Sequence, residues 1–330
     1  MNAALFVSWL RSDFLRAVVL VLLALLLAQA LPLRAQMSDK SPALLRSVAV
    51  APGVWALVGS LGGASRDNHA LNATYGVVAT PEGAILIDSG ASAQGATLLA
   101  GMAQQLTGQP VRWVINTGSQ HHRWLGNEAL RKSGAQVIAH ARTVQGQRKL
   151  ADAKTLEARA VLGEQFGATQ PAFAERMPDG ERAALTLGGL RIELLDLGDA
   201  HFPGDTVVWL PASRIAFAGD VVYVERLLSI APESNPSAWL RAFDRLVALA
   251  PAHVVPGHGA PTSVATAQAH TGAYLRTVTA GVARHAKEMA GVDAALNELG
   301  SAPAFAHLAN FELLHRANVN RAYLRAEAGE

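Results

Sequence analysis

The chain has 330 residues, half of them hydrophobic, which is enough for one large core or two small ones, and a formal charge of +2. It has no cysteine, which excludes disulfides, thiolate metal ligands and cysteine-linked lipids. Outside residues 1–35, which hold Arg11, Arg16, Arg34 and Asp13, basic and acidic residues balance and no basic block stands out, so a broad surface for nucleic-acid phosphates is not expected.

Arg11 and Arg16 precede an apolar run, residues 17–28, that ends in small residues around Ala30 and Ala35. A basic start, a short apolar core and small residues after it describe a secretory signal peptide over residues 1–35. The run is shorter than the ~20 apolar residues that span a bilayer, so cleavage is favoured over a retained anchor and the mature chain is expected in the periplasm. Residues 48–60 alternate as a first strand; 72–79 and 84–88 read as two more, joined by a turn at Pro81-Glu82-Gly83. Residues 92–106 have helical spacing and 111–115 form a buried strand. Then comes the stretch Asn116-Thr117-Gly118-Ser119-Gln120-His121-His122-Arg123-Trp124-Leu125-Gly126-Asn127, read as a loop, with a helix-like segment at 128–133.

Further on, 136–139 is a strand, 143–167 a helix and 190–195 a strand that runs into Gly198-Asp199-Ala200-His201-Phe202-Pro203-Gly204-Asp205. Strands at 206–210 and 215–218 follow, the second ending at Gly219-Asp220. A helix at 236–250 leads to a strand at 253–255 and the turn Pro256-Gly257-His258-Gly259. Helices at 262–289 and 310–326 close the chain. Strands and helices in this succession predict two sheets between helices in one domain.

Four segments, in this order and each at a predicted strand end, resemble the metallo-β-lactamase superfamily. They are Asp88-Ser89-Gly90, the 116–127 stretch, the His201 segment, and the pair Gly219-Asp220 with Pro256-Gly257-His258-Gly259. The resemblance implies an α/β fold, a four-layer αββα sandwich spanning residues 46–330. It also implies a hydrolase in which metal-bound water attacks an ester, thioester, amide or lactone of a small-molecule substrate. Asp88 would support the metal loops, while His201, Asp220 and His258 fall on ligand positions, with Asp220 and His122 in the catalytic role.

The 116–127 stretch keeps the family's frame at Asn116, Thr117, Gly126 and Asn127, but Gly118 and Gln120 stand where two histidine ligands are expected. Glycine has no donor and a glutamine amide is a poor zinc ligand, so one ion is expected in place of two. Imidazole and carboxylate donors suit zinc, and iron or manganese as well. Without a gap, His122 takes the family's aspartate position and Arg123 its last histidine; with a one-residue shift, His121 and His122 replace that pair. Both alignments stay open here. Arg123 would bring its own positive charge to a former metal position. Tyr223, Glu225 and Arg226 follow Asp220 and stand either as pocket-lining residues or as ordinary surface.

A related exported branch, found beside quinoprotein dehydrogenase systems, carries a similar Gln-(Asp)-His-Arg-Trp-Leu-Gly-Asn loop, which implies such a periplasmic system as a partner. A binding or accessory protein on a decayed hydrolase scaffold is the alternative function, since fold alone does not carry activity.

Overall fold

In a computed structural model the described residues are 44–329, so the signal-peptide expectation for 1–35 lies outside them. No helix among the described residues is long and apolar enough to cross a membrane. The described residues open with a hairpin, β1 (Arg46–Ala51) and β2 (Val54–Val58), not the single strand expected over 48–60. The alternation continues across the turn, but Gly53 adopts φ 73° and reverses the chain there. β3 (Thr74–Thr80) and β4 (Gly83–Ile87) extend the meander, and β5 (Val111–Asn116) and β6 (Gln136–Ala139) join in parallel, giving the order β1-β2-β3-β4-β5-β6. The parallel β4–β5 crossover is helix α1 (Ala93–Thr107), capped by the Ser92 hydroxyl and closed by Gly108 at φ 70°.

The second sheet runs β11-β10-β9-β8-β7, from β7 (Arg182–Leu187), β8 (Leu190–Asp196), β9 (Thr206–Leu210), β10 (Ile215–Tyr223) and β11 (His253–His258). β7 was not expected from the sequence. Its Arg-Ala-Ala-Leu-Thr-Leu alternates in burial, but the alanines give it little strand propensity, and its pairing with β8 supplies the rest.

Alternation along the strands sorts the apolar residues into three cores. Ile85, Ile87, Ile115 and Ile138 of the first sheet meet Val208, Leu210, Ile215 and Phe217 of the second. Their neighbours Leu86, Val114 and Val137 turn the other way, onto Leu99 and Ala103 of α1. In the second sheet Val207, Ala216 and Ala218 turn outward onto Trp239, Phe243, Leu275 and Val278. Helix, sheet, sheet, helix is therefore the layer order, the expected four-layer sandwich. Gly76 lets the sheets interlock: a Cβ there would lie 2.3 Å from the Phe217 ring.

The outer helices over the second sheet include α5 (Pro236–Ala248) and a segment expected as one helix over 262–289. That segment is α6 (Val264–Ala267), a π-turn (Gln268–Gly272) and α7 (Ala273–Lys287). The π-turn presents Thr271 to the end of β10: its hydroxyl donates to the Tyr223 carbonyl (2.6 Å) and accepts from the Tyr223 amide (3.0 Å). The strand end beside Asp220 is thus pinned from outside the sheet.

Candidate metal centre

The stretch after β5 is held by its frame residues. Asn116 Nδ2 donates to the Arg123 carbonyl (2.9 Å) and to Asn127 Oδ1 (3.0 Å), and Asn127 Nδ2 donates back to Asn116 Oδ1 (2.8 Å). The Thr117 amide and hydroxyl donate to the Asp88 carboxylate at 2.8 to 3.1 Å. Gly126 packs so tightly on the Ser89 carbonyl that a Cβ would sit 2.1 Å from it. Between these anchors the expected loop is a helical turn, α2 (His121–Trp124), followed by α3 (Asn127–Lys132). Trp124 is the packing residue beneath it, fully buried, its indole N–H on the Ser119 carbonyl (3.1 Å).

The turn sends His122 and Arg123 inward. His122, Asp220 and His258, all buried, each offer a ligand atom within 4.8 Å of the others. His122 Nε2 lies 3.4 Å from Asp220 Oδ2, and His258 Nε2 lies 3.4 Å from Asp220 Oδ1. His258 Nδ1 donates to the Asn72 carbonyl (2.9 Å), which leaves its Nε2 lone pair toward the group. His122 Nε2 is buried without a hydrogen-bond partner. Two neutral imidazoles, one of them with its Nε2 unpartnered, and a carboxylate form a three-donor set that fits one divalent ion.

The other candidates stand around this group. His201 Nδ1 accepts from Gln120 Nε2 (2.6 Å) and is 3.9 Å from Asp220 Oδ2, while the rings of Phe202, Tyr223 and Trp239 surround it. Gln120 therefore meets His201 while His122 meets Asp220, the contacts expected of the ungapped alignment. A Cβ on Gly118 would come within 2.5 Å of Gln120 Oε1 and 2.9 Å of Asp205 Oδ1, so the Gln120 amide fills the space over this residue. His121 faces away, Nδ1 3.7 Å from Glu157.

Arg123 is fully buried and organises the charges. Its Nη1 donates to Asp88 Oδ2 (2.9 Å) and the Thr74 carbonyl (3.2 Å), its Nη2 to Asp220 Oδ1 (2.6 Å) and the Gly257 carbonyl (3.0 Å), and its Nε to Asp220 Oδ2 (3.2 Å). Gly257 must be glycine for this, since a Cβ would lie 2.5 Å from Asp220 Oδ1 and 2.6 Å from Arg123 Nη2. Burial opposes the charge on Asp220, but Arg123 and then His122 and His258 hold its carboxyl well below the usual range. For Asp88 burial dominates over Arg123 and pushes it up to about 6. Burial, helped by Asp220, also pushes Asp205 well above the carboxylate range.

Burial lowers His201 and His258 to about 4 and His122 well below its ordinary value, so all three are neutral donors at pH 7. In metal-free protein the His201 and His258 imidazoles are therefore expected to titrate near pH 4 by NMR; midpoints near the ordinary histidine value of 6.5 would contradict this burial. The sign for stability follows. The unfolded chain takes up these protons first, so their contribution is complete above the ordinary histidine range and is lost as pH falls from there toward 4.

Sequence reasoning left Asp205, Lys154 and Glu157 without a role. Asp205 stood in the quoted His201 segment, where its carboxylate accepts from the Phe202 amide (2.8 Å). Lys154 and Glu157 reach the site from helix α4 (Ala141–Leu162) and are paired at 2.9 and 3.1 Å. A Lys–Glu pair on a helix carries no signal of a site in the sequence. Of the residues after Asp220, Tyr223 and Arg226 line the cavity over the group, while Glu225 caps the Ala260 amide (3.1 Å).

The family model described as "Metallo-beta-lactamase superfamily" matches residues 70–258, more than half of the chain, ending on His258. The chain is 33% identical over 79 residues to metallo-beta-lactamase type 2 of Bacteroides fragilis, covering 23% of this chain and 32% of that one. It is 31% identical over 85 residues to 2,4-dinitroanisole O-demethylase subunit alpha of Nocardioides sp. (strain JS1661), covering 26% of each. The match thus spans about a third or less of these curated relatives. Among solved structures, a metallo-beta-lactamase from Pontibacter korlensis superposes with TM-score 0.56 at 21% identity, over 70% of this chain and 99% of that one. The DIM-1 metallo-beta-lactamase does so with TM-score 0.55 at 22% identity, over 71% and 97%. At these identities the superpositions speak for the fold.

Proposed function

The chain belongs to the metallo-beta-lactamase superfamily, and on that premise we propose that it is a metal-dependent hydrolase acting on an ester, thioester, amide or lactone carbonyl. The observation that carries this reading is the buried His122–Asp220–His258 group, with its orphaned His122 nitrogen, in a cavity of about 300 Å³. These three residues would hold the ion, and zinc suits them, as do iron and manganese. Such an ion supplies Lewis acidity, lowering the pKa of water and polarising a carbonyl oxygen.

The chain's own residues prepare that site. The Asn72 carbonyl fixes the His258 tautomer, and the Tyr223 ring, stacked on His258 at 4.7 Å, fixes its plane. Arg123 holds Asp220 ionised and oriented, so the anionic ligand is present before any ion binds. At the cavity wall Lys154 and His121 flank Glu157. His121, ahead of Lys154, draws that carboxyl down to about 2, which keeps an ionised acceptor beside the cavity.

The basic start and short apolar run before residue 36 support export to the periplasm. The accessory-protein reading has its own support in Gly118 and Gln120, which replace two expected ligands, and in Arg123, which sits beside Asp220 where a second ion would compete with it. Turnover separates the two. Protein reconstituted with zinc, iron or manganese is assayed on one member of each carbonyl class, before and after chelation. Chelator-sensitive hydrolysis of at least one class is expected. Metal-loaded protein inert to all four would replace the hydrolase with the accessory protein.

A further inference from the structure

Two segments outside the sheets help to wall the cavity: residues 60–64, and residues 226–231 after β10, which bring Arg226, Ser229 and Ala231 to it. With no ladder to join, their backbone groups need other partners. The last helix, Phe311–Glu327, and the residues leading into it supply them for both segments, and they lie beyond residue 258, where the match to the family ends. Just ahead of the helix the Ala309 carbonyl accepts from the Leu227 amide (2.9 Å), and Asn310 Nδ2 donates to the Leu61 carbonyl (2.8 Å). Inside it Asn318, fully buried, accepts from the Ile230 amide through Oδ1 (2.8 Å) and donates through Nδ2 to the Leu228 carbonyl (2.8 Å). Arg321 Nη1 donates to the Ile230 carbonyl (2.7 Å). The far end of the segment is tied toward the metal group: Ser234 Oγ accepts from the Ala231 amide (2.9 Å) and donates to the His201 carbonyl (2.7 Å).

The Asn318 amide is held in one orientation. Its Nδ2 also donates to the Tyr274 hydroxyl (3.0 Å), which donates to His315 Nδ1 (3.0 Å), and His315 Nε2 donates to the Leu299 carbonyl (2.7 Å). With its proton spent on His315, the Tyr274 oxygen can only accept, so the Asn318 nitrogen faces it and the Asn318 oxygen faces Ile230. We infer that Asn318 is a positioning residue: through it the last helix sets where residues 226–231 stand, and with them the part of the cavity wall that meets a substrate beyond its reacting group. The word substrate rests on the hydrolase reading; the placement of the wall does not, and its test does not need turnover.

The test uses zinc-loaded full-length protein. Amide exchange is followed by NMR, and calorimetry gives the affinities of acetohydroxamate and benzohydroxamate, two zinc-binding probes that differ in the group extending past the hydroxamate. Asn318→Leu is close in volume and loses all three hydrogen bonds. In it the Ile230 amide should exchange at least about a hundredfold faster, beyond any change in the amides of β4, which report global opening. Benzohydroxamate should lose at least about tenfold in affinity, while acetohydroxamate affinity and zinc content stay within about twofold. Arg321→Met should shift the Ile230 amide and the probe ratio in the same direction by less, and Arg321→Lys, which still donates to the Ile230 carbonyl, should restore both; this pair also serves if Asn318→Leu does not fold. A role limited to stability would speed all amides alike and leave the ratio of the two probes unchanged, and either result would overturn the proposal. Wild-type protein that binds neither hydroxamate would sink the metal-centre reading and leave the wall to the exchange data: Ile230 accelerated beyond β4 keeps Asn318 as its positioning residue, and equal acceleration removes it.

Discussion

Arg123→Ala is expected to destabilise the protein by about 3–5 kcal/mol, the usual cost of removing one partner from a buried ion-pair network. The guanidinium is fully buried and makes five hydrogen bonds, two of them to Asp220, one to Asp88 and two to backbone carbonyls. Without it, two buried carboxylates face each other across the space it leaves, with neither solvent nor cation to compensate. Asp88 is already pushed up to about 6 with Arg123 in place, so in the variant both acids would favour protonation and the loss should be greatest at neutral and alkaline pH. Arg123→Lys keeps a charge but reaches one acid at a time, and should recover only part of the loss. Urea unfolding at pH 7.5 reads the difference; a variant within about 1 kcal/mol of wild type would show that the network carries little.

The second large effect falls on metal affinity. His122→Ala, Asp220→Asn and His258→Ala should each weaken metal binding by more than about a hundredfold, since residues that merely support ligands already cost about 10–100-fold. The three positions lie on a helical turn, on β10 and at the end of β11, so only the folded core brings them together. His201→Ala should cost less, because its Nδ1 is taken by Gln120 and it stands outside the group of three. His121→Ala, facing Glu157, should leave the metal in place, as should His253→Ala on the exposed start of β11. Equilibrium competition with a chromogenic chelator gives the affinities. Full affinity in His122→Ala or His258→Ala would remove the group from consideration.

Much of this was legible in the sequence because backbone-dictated features leave fixed residue types. Asn116, Gly126 and Asn127 announced a frame, and the frame exists because paired amides and a residue without a Cβ close the turn. Asp88 was placed as support, and it does receive the Thr117 amide and hydroxyl. Period-two burial gave most strands, since the inter-sheet core demands it. What stayed hidden depends on long-range contact. The hairpin at Gly53 interrupts no hydrophobic pattern, and β7 becomes a strand through β8. The turn at His121–Trp124 is too short to show helical spacing. The choice between His121 and His122 could not be made from spacing, because it depends on which of them the turn aims at β10. Arg123 was seen as a cation at a former ligand position, but not that Asp88 and Asp220 converge on it. Arg226 stood open between pocket and surface, and Lys154 carried no signal, until α4 and the chain after β10 placed them on one cavity.

Elemental analysis of the purified, metal-replete protein tests the central claim most directly. Among the described residues one group of three donors is assembled, and Gln120 and Arg123 fill the ground around it, so about one divalent ion per chain is expected. No bound metal after reconstitution would contradict the account, and so would two tightly held ions.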